Sequence, residues 1–482
     1  MINIRGYAGG GASRIKPTLK TWRPQHYSAK TEIDLNLKTL RARAADLVKN
    51  SAVGSAIVET LTAGVIGSGL KLFPRPDALT LGLSVEEARA WSRRVKAEFN
   101  LWAGEAMSCD FLKRNTFAEL QAIVFRSYLT EGDSFVLFKR RQSARERPYT
   151  LRLQAVEANR ISTPNLPDSG VEVSRGNNRI VNGIEVDGSG ALIAIWVANR
   201  LMEPNDIGGA LEWQRVLWRG RRTGRENILH ICNDLRPAQY RGVPVLTPII
   251  ESLKQISRYA DAELSAAIVR SFFSVFFIQP ANNHSLNEML DEELDVSEYK
   301  LGSATIAALP RGVDVKAIDA GNTQSTFDQF SAHFLTQIAA AVNLPREVIL
   351  KAFNASYSAS RAALLQAEGE FRIRRARFIT DFLKPIYEQF LLEAVSLGRV
   401  DAPGFFSEPL IRQAWSAADW YAERTNAIDP LKSAQGMKLA LDSGLTTYRK
   451  ELAESAGLDF DDVIEQLKQE RSLLREVNNG DL

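Results

Sequence analysis

Residues 343–378 read NLPREVILKAFNASYSASRAALLQAEGEFRIRRARF, and the organisation of the chain turns on them. A helix predicted over 325–344 enters this stretch, and a second, running from about Ser358 to Leu397, leaves it. Between them lies a short polar, basic loop carrying Arg346, Lys351 and Asn354. The second helix ends before Gly398; at about 40 residues and 1.5 Å per residue it is roughly 60 Å long. Leu364, Phe371, Phe378, Phe382, Ile386, Phe390 and Ala394 form an apolar seam along it. A helix of that length points to a tall subunit, or to one that lies against neighbours.

Towards the N-terminus, VLTPIIESLKQISRYADAELSAAIVRSF from Val245 is helical, with Pro244 just before it and Pro248 in its first turn, where proline is tolerated. SVFFIQP is strand-like, the acidic NEMLDEELDVSE follows, and KLGSATIAALPRGVDVKAID reads as a strand pair punctuated by Gly and Pro. Residues 31–63 are predicted helical. Gly64, Gly67 and Gly69 break that helix, and Pro74 and Pro76 keep its exit extended. A helix over 84–103 opens on a capping box, Ser84 with Glu87, and another covers 116–130. The period then falls to two in DSFVLFKRR, YTLRLQAVEANRI, RIVNGIEVDGSGALIAIWVAN and LEWQRVLWRG, with a hairpin around Asp187-Gly188. Residues 31 to about 243 therefore form a mixed α and β domain. The tail, 405–482, holds two or three helices with a break at Gly457, and residues 1–30 read as a mobile basic arm. The fold class is α+β.

Composition narrows the function. The chain has 482 residues, 45% hydrophobic and 24% charged, as in folded soluble proteins. Its 60 Lys and Arg against 57 Asp and Glu leave a net charge of +3, so a nucleic-acid role must rest on local patches. Cys109 and Cys232 lie far apart, which suggests a reducing compartment without a disulfide framework. The N-terminus lacks the apolar core of a secretory signal, and the most apolar run, 265–280, is too short to span a bilayer and is interrupted by Arg270. The expectation is a soluble intracellular protein that does not enter a membrane.

Catalytic signatures are missing. Nothing matches a phosphate-cradling G-x-x-x-x-G-K-[ST] loop or a G-x-S-x-G elbow. His26, His230, His284 and His333 are scattered, and neither cysteine has a zinc-type companion, so no metal or other cofactor is expected. The acidic run Glu288, Asp291, Glu292, Glu293, Asp295 and Glu298 lacks the Gly-centred spacing of a calcium loop and reads as a solvated face or a docking patch for a basic partner. Lys139, Arg140 and Arg141 close a strand and suit either phosphate or an acidic neighbour. The chain is not expected to be an enzyme.

Several segments together resemble the portal proteins of lambda-type phages. They are RARAADLVKNSAVGSAIVETLTAGVIGSGLKL at 41–72, EGDSFVL at 131–137, GIEVDGSGALIAIWV at 183–197 and HICNDLRPAQYRGVPVLTPIIESLKQISRYADAELSAA at 230–267. FDQFSAHFLTQIAAAVNLP at 327–345, NASYSASRAALLQAEGEFRIRRARF at 354–378 and DPLKSAQGMKLALDSGLTT at 429–447 complete the set. Their order and spacing run through nearly the whole chain.

The resemblance implies a virion subunit, assembled in the host cytoplasm, of a ring typically of twelve copies at one capsid vertex. Double-stranded DNA would enter and leave through its channel without being read for sequence. It further implies an α/β wing at 31–243, stem helices at 244–273 and 323–344, and a small α/β clip at 274–322. A tunnel loop at 345–357 would lead into a long wing and crown helix at 358–397 and a mainly helical crown at 398–482. The partners it implies are the terminase large subunit, major capsid and scaffold proteins, and neck or tail adaptors. On this plan Arg346, Lys351 and Asn354 touch phosphate at the constriction. Lys254, Arg258 and Arg270, alternating with Glu251, Asp261 and Glu263, would give the stem a lumen of mixed sign. The acidic run, from Glu288 to Glu298, would face docking proteins. Arg361, Arg372, Arg374, Arg375 and Arg377 are expected to make structural ion pairs, with Glu368 and Glu370 nearby. The competing readings are a capsid-assembly protein without a DNA channel and a hydrolase with a dispersed site.

Overall fold

Helix boundaries follow side chains visible in the sequence. Ser84 and Thr116 each accept from the backbone N–H three residues on, while Glu87 and Glu119 reach back to the capping N–H groups at 2.8 and 2.7 Å. The helices they open, Val85–Ala103 and Phe117–Glu131, match the expected spans. The helix expected over 31–63 is instead divided into Leu37–Asn50 and Ala52–Val65. Ser51 between them is extended (φ −111°, ψ 122°), and its hydroxyl accepts from the Gly54 N–H at 3.3 Å, so one periodic run carries an internal cap.

The computed structural model describes residues 15–141, 147–166, 172–201, 211–271, 275–278, 314–317, 324–354, 356–422 and 430–478. They divide into two compact units: the chain up to Pro248 together with Val342 onward, and Ile249–Ala341.

Among the described residues the first unit contains three antiparallel sheets. Strands β1 (Lys71–Pro74) and β12 (Ala418–Tyr421) pair across the whole length of the chain. In the second sheet β2 (Asp133–Arg140) lies between β3 (Leu151–Val156) and β9 (Ile228–Cys232). The third is a meander of β4 (Val173–Arg175), β5 (Asn178–Val181), β6 (Ile184–Val186), β7 (Leu192–Ala198) and β8 (Trp213–Leu217). The hairpin expected at Asp187-Gly188 joins β6 to β7, and Asp187 accepts from the Ser189 and Ala191 N–H groups. Phe135, Leu137, Val156 and Ile228 from the second sheet pack with Ile184, Val186, Ile195 and Val197 from the third in one buried cluster. Along β2, β6 and β7 the cluster takes every second residue, as the pleat of a strand requires.

The long helix is present, but it changes pitch. It runs as α-helix over Tyr357–Phe378, as a π turn over Ile379–Leu383, and as α-helix again over Lys384–Ser396. Pro385 lies just past the turn; it has no N–H to give and its ring would strike the carbonyl of residue 381 in a regular α-helix, which the wider turn relieves. The expected seam is buried from Phe371 to Ala394, whereas Leu364 is half-buried. Phe390 packs edge-on to Phe99 at 5.1 Å and lies 5.5 Å from Trp102; Phe382 stacks on Phe117 at 6.0 Å. Glu393 ties this helix to the second sheet, accepting from Arg140 at 2.6 Å and from the backbone of Thr150 and Leu151 at 2.6 and 3.0 Å. Arg140 thus meets an acidic neighbour.

In the second unit, helices Ile250–Ser271 and Gln324–Ala341 pack on each other, with the Tyr259 and Phe330 rings 4.7 Å apart. Strands β10 (Val275–Ile278) and β11 (Asp314–Ala317) pair antiparallel. Among the described residues, no helix is long and apolar enough to cross a membrane.

Candidate nucleic-acid interface

The connection 343–357 has more structure than a loop. Leu344, Val348 and Ile349 are buried, and Arg346–Leu350 forms a short helix that packs against Ala52–Val65. Arg346 therefore stands at the first position of a helix, half-buried, with its guanidinium 3.5 Å from Glu347. The helix ends at Lys351, whose backbone is left-handed (φ 53°), and Ala352 donates to the Glu347 carbonyl at 3.1 Å. Lys351 and Asn354 are exposed and Phe353 is 43% exposed. Ser356 then caps the long helix by accepting from the Ala359 N–H. Buried aliphatic side chains thus hold a fixed base under an exposed polar tip at 351–354.

In the second unit, Glu251, Lys254, Arg258 and Asp261 are all exposed and fall on one stripe of their helix at spacings of three and four. The order along the stripe is acidic, basic, basic, acidic, so the two signs balance on it. The Arg270 side chain and the acidic run Glu288, Asp291, Glu292, Glu293, Asp295 and Glu298 lie outside the described residues.

Of the arginines on the long helix, three turn inward to the chain itself. Arg374 meets Glu370 at 2.7 Å, and Arg377 meets Asp234, Asp381 and the Cys232 carbonyl. Arg375 donates to the Gly64 and Val65 carbonyls at 2.7 and 3.0 Å, capping the end of Ala52–Val65, where a cation is favoured. Arg361 and Arg372 are exposed.

The strongest electrostatic feature has no counterpart in the sequence reading. Asp133, fully buried, accepts from Arg41 at 2.6 Å, from Arg241 at 2.7 Å and from the Gly242 N–H at 3.1 Å. Arg241 also donates to the carbonyls of Ala158, Ile161 and Asn182, and Arg41 to that of Glu131, so these buried guanidiniums bridge strands and helices. Burial opposes ionisation of Asp133, but Arg241 and Arg41 outweigh it and hold the carboxyl far below its ordinary range. Two glycines permit the contact. A Cβ on Gly132 (φ +87°) would lie 2.4 Å from the Gly242 carbonyl carbon, and one on Gly242 1.7 Å from the Gly132 oxygen. The signal was present in two quoted motifs, EGD and YRG, but nothing in sequence says that they meet.

His230 and Cys232 adjoin Asp133, with ligand atoms within 4.8 Å of one another, yet the trio does not suit a metal. Two guanidiniums already occupy the carboxylate, and burial pushes the Cys232 thiol up to about 12, leaving it protonated. A cavity of about 20 Å³ beside Arg41 and Arg241 has room for one water and nothing larger. The cluster is a structural hub.

Comparison with known proteins finds relatives over most of the chain. Residues 16–375 match the model of the phage portal proteins, lambda family. Portal protein B of Escherichia phage lambda is 27% identical over 97% of this chain and 90% of its own length. The portal protein of Escherichia phage N15 is 26% identical over 96% and 90%. A chain from the neck of a native gene transfer agent particle, computed with C12 symmetry, covers 87% of this chain and 92% of its own at 12% identity, with a TM-score of 0.41. Another, from the virion of a native gene transfer agent, covers 90% and 93% at 13% identity, with a TM-score of 0.43. By the match of its greater part to the family model, this chain belongs to the lambda family of phage portal proteins.

Proposed function

We propose that the portal subunit assembles into a closed ring at one capsid vertex and lines the passage for duplex DNA during packaging and ejection. The observation that carries the DNA contact is the exposed 351–354 tip on its buried base of Leu344, Val348 and Ile349. Lys351 and Asn354 reach phosphate there without reading bases, and Arg346 adds charge from behind. The wall candidates Lys254 and Arg258 share their stripe with Glu251 and Asp261, which favours sliding over holding. Arg270 belongs to the same proposed wall.

In this reading 31–243 is wing, 244–273 and 323–344 are stem, and 274–322 is clip. Residues 345–357 form the constriction, 358–397 the long helix and 398–482 the crown. The separation of Ile249–Ala341 as a compact unit supports the outer limits of stem and clip taken together. The run Glu288, Asp291, Glu292, Glu293, Asp295 and Glu298 is proposed to dock the terminase large subunit and, later, neck or tail adaptors. Capsid and scaffold proteins would meet the ring elsewhere, with assembly in the host cytoplasm. The chemistry is passive, and no step needs a cofactor.

Native mass spectrometry with negative-stain imaging of the same sample tests this. The expected result is a closed ring of cyclic symmetry with a central hole; a chain that stays monomeric even with its capsid and scaffold partners would refute it. In such rings, charge reversal across 288–298 should impair packaging and leave the ring intact. Normal packaging by that variant would remove the docking role.

A further inference from the structure

The loop from β8 to β9 reads WRGRRTGREN at 218–227 and places four arginines within the seven residues 219–225. Its backbone is a short hydrogen-bonded hairpin. Asn227 donates to the Trp218 carbonyl at 2.9 Å, Gly220 to that of Arg225 at 2.8 Å and Gly224 to that of Gly220 at 2.8 Å. Its stem carries an isolated antiparallel bridge between Arg219 and Glu226. The Arg219 guanidinium lies 4.7 Å over the Trp218 ring and pairs with Glu226 at 3.0 Å, which fixes its direction.

Among the described residues no ion pair answers the other three arginines. Arg221 and Arg222 are exposed at the tip and Arg225 is half-buried behind them. Arg225 is besides crowded by Arg140 and Arg412, like charges that, after burial itself, hold its pKa below the usual arginine value. Arg140 answers to Glu393, whereas exposed Arg412 has no ion-pair partner among the described residues. A hydrogen-bonded hairpin that presents guanidiniums without ion-pair partners, with Arg225 crowded by Arg140 and Arg412, is a site shaped for an anion.

The residues of the tip identify that anion. Positions 219–225 hold only Arg, Gly and Thr, with no apolar side chain to form the core of a protein interface. Phosphodiesters need no such core; they need cations, and the planar guanidinium fork suits them. We propose that the arginine hairpin 219–225 is a second phosphate-binding site of the subunit, on a different element from the 351–354 tip, that takes the backbone of duplex DNA irrespective of sequence. The choice of duplex as ligand rests on the functional reading above; the existence of the anion site does not.

The test is the binding of the full-length protein, as assembled, to a fluorescent duplex of arbitrary sequence across a salt series. Wild type should show log K falling linearly with log salt. R221A/R222A should be shallower by about 1.8, two phosphate contacts at about 0.9 each. R221K/R222K, which keeps both charges, should retain the wild-type slope. If the double alanine variant fails to assemble, R222A alone, at the exposed tip, should lower the slope by about 0.9. An unchanged slope in properly assembled alanine variants overturns the proposal. So does polyglutamate that competes as well per charge as unlabelled duplex, which would assign the hairpin to an acidic protein. Failure of the channel reading would show separately, as absence of a ring in the mass measurement, whatever the slope.

Discussion

Two groups of charge in this subunit, the hub at Asp133 and the tip at 351–354, obey opposite rules. At the hub the central carboxylate and both guanidiniums are buried and answered: Asp133 by Arg41 and Arg241, and each arginine by carbonyls beyond it. At the tip Lys351 is exposed and has no ion-pair partner among the described residues, while its base is aliphatic. The hub spends its charges on joining segments that lie far apart in sequence. The tip keeps its charge available to solvent. A charged residue in this chain is therefore interpretable only with its burial and its partners, and the most heavily bonded charges are the least available for function.

The sharpest way to break this contrast is to remove the central carboxylate. D133A would leave two buried guanidiniums without their anion, at a cost of about 3–5 kcal/mol, because an unpaired buried charge is worse than none. Urea denaturation should show that loss, or the protein should fail to fold. A loss below about 1 kcal/mol would mean that water reaches the cluster and that the hub is a surface network. Acid supplies the same test without mutation. The folded-state pKa of Asp133 is depressed, so its contribution is present above the unfolded value of about 3.9 and is lost as pH falls below it.

Glu131, two residues earlier, should behave in the opposite sense and sharpens the comparison inside the hub. Burial raises its pKa to about 7, against the pull of Arg41, while its carboxylate accepts from the Ala158 N–H at 3.1 Å. A carboxyl whose folded pKa is raised stabilises the fold when protonated. That contribution is present below the unfolded value of about 4.3 and fades as pH climbs through about 7. E131Q keeps an acceptor for Ala158 and cannot ionise. It should be more stable than wild type at pH 8 by up to about 3 kcal/mol and match it near pH 4. A constant difference between the two proteins from pH 4 to 8 would show that Glu131 does not titrate in this window.

These hub residues also show what the sequence could and could not disclose. Periodicity located the capped helices at Ser84 and Thr116, the β6–β7 hairpin and most of the seam from Phe371 to Ala394, because each is a local pattern on one element. It missed the break at Ser51, since both helices flanking it share the same apolar period. It also missed the pairing of β1 with β12, which joins Lys71–Pro74 to Ala418–Tyr421. The hub was invisible for the same reason: Arg41, Asp133 and Arg241 are far apart in sequence, and each looks like an ordinary surface charge. Yet EGDSFVL and YRGVPVLTP were among the segments that carried the family resemblance. The marks by which the family was recognised there are marks of construction, in which Gly132 and Gly242 let two distant segments of the chain touch. Of the candidate site, the basic tip was legible from residue type, whereas the short helix that carries Arg346 was not.

The smallest expected effect on stability falls at Lys351. Its left-handed backbone costs a non-glycine residue about 1 kcal/mol, and asparagine is among the side chains that tolerate that region. K351N should therefore change unfolding free energy by less than about 1 kcal/mol in either direction. Ring mass should be unchanged, because the buried base of Leu344, Val348 and Ile349 is untouched. What should change is the salt dependence of duplex binding, with a slope shallower by about 0.9 for each tip charge that meets a phosphate. A loss of several kcal/mol instead would mean that Lys351 holds the connection together. The tip would then belong with the hub, as structure, and the case for a sliding contact at 351–354 would fall with it.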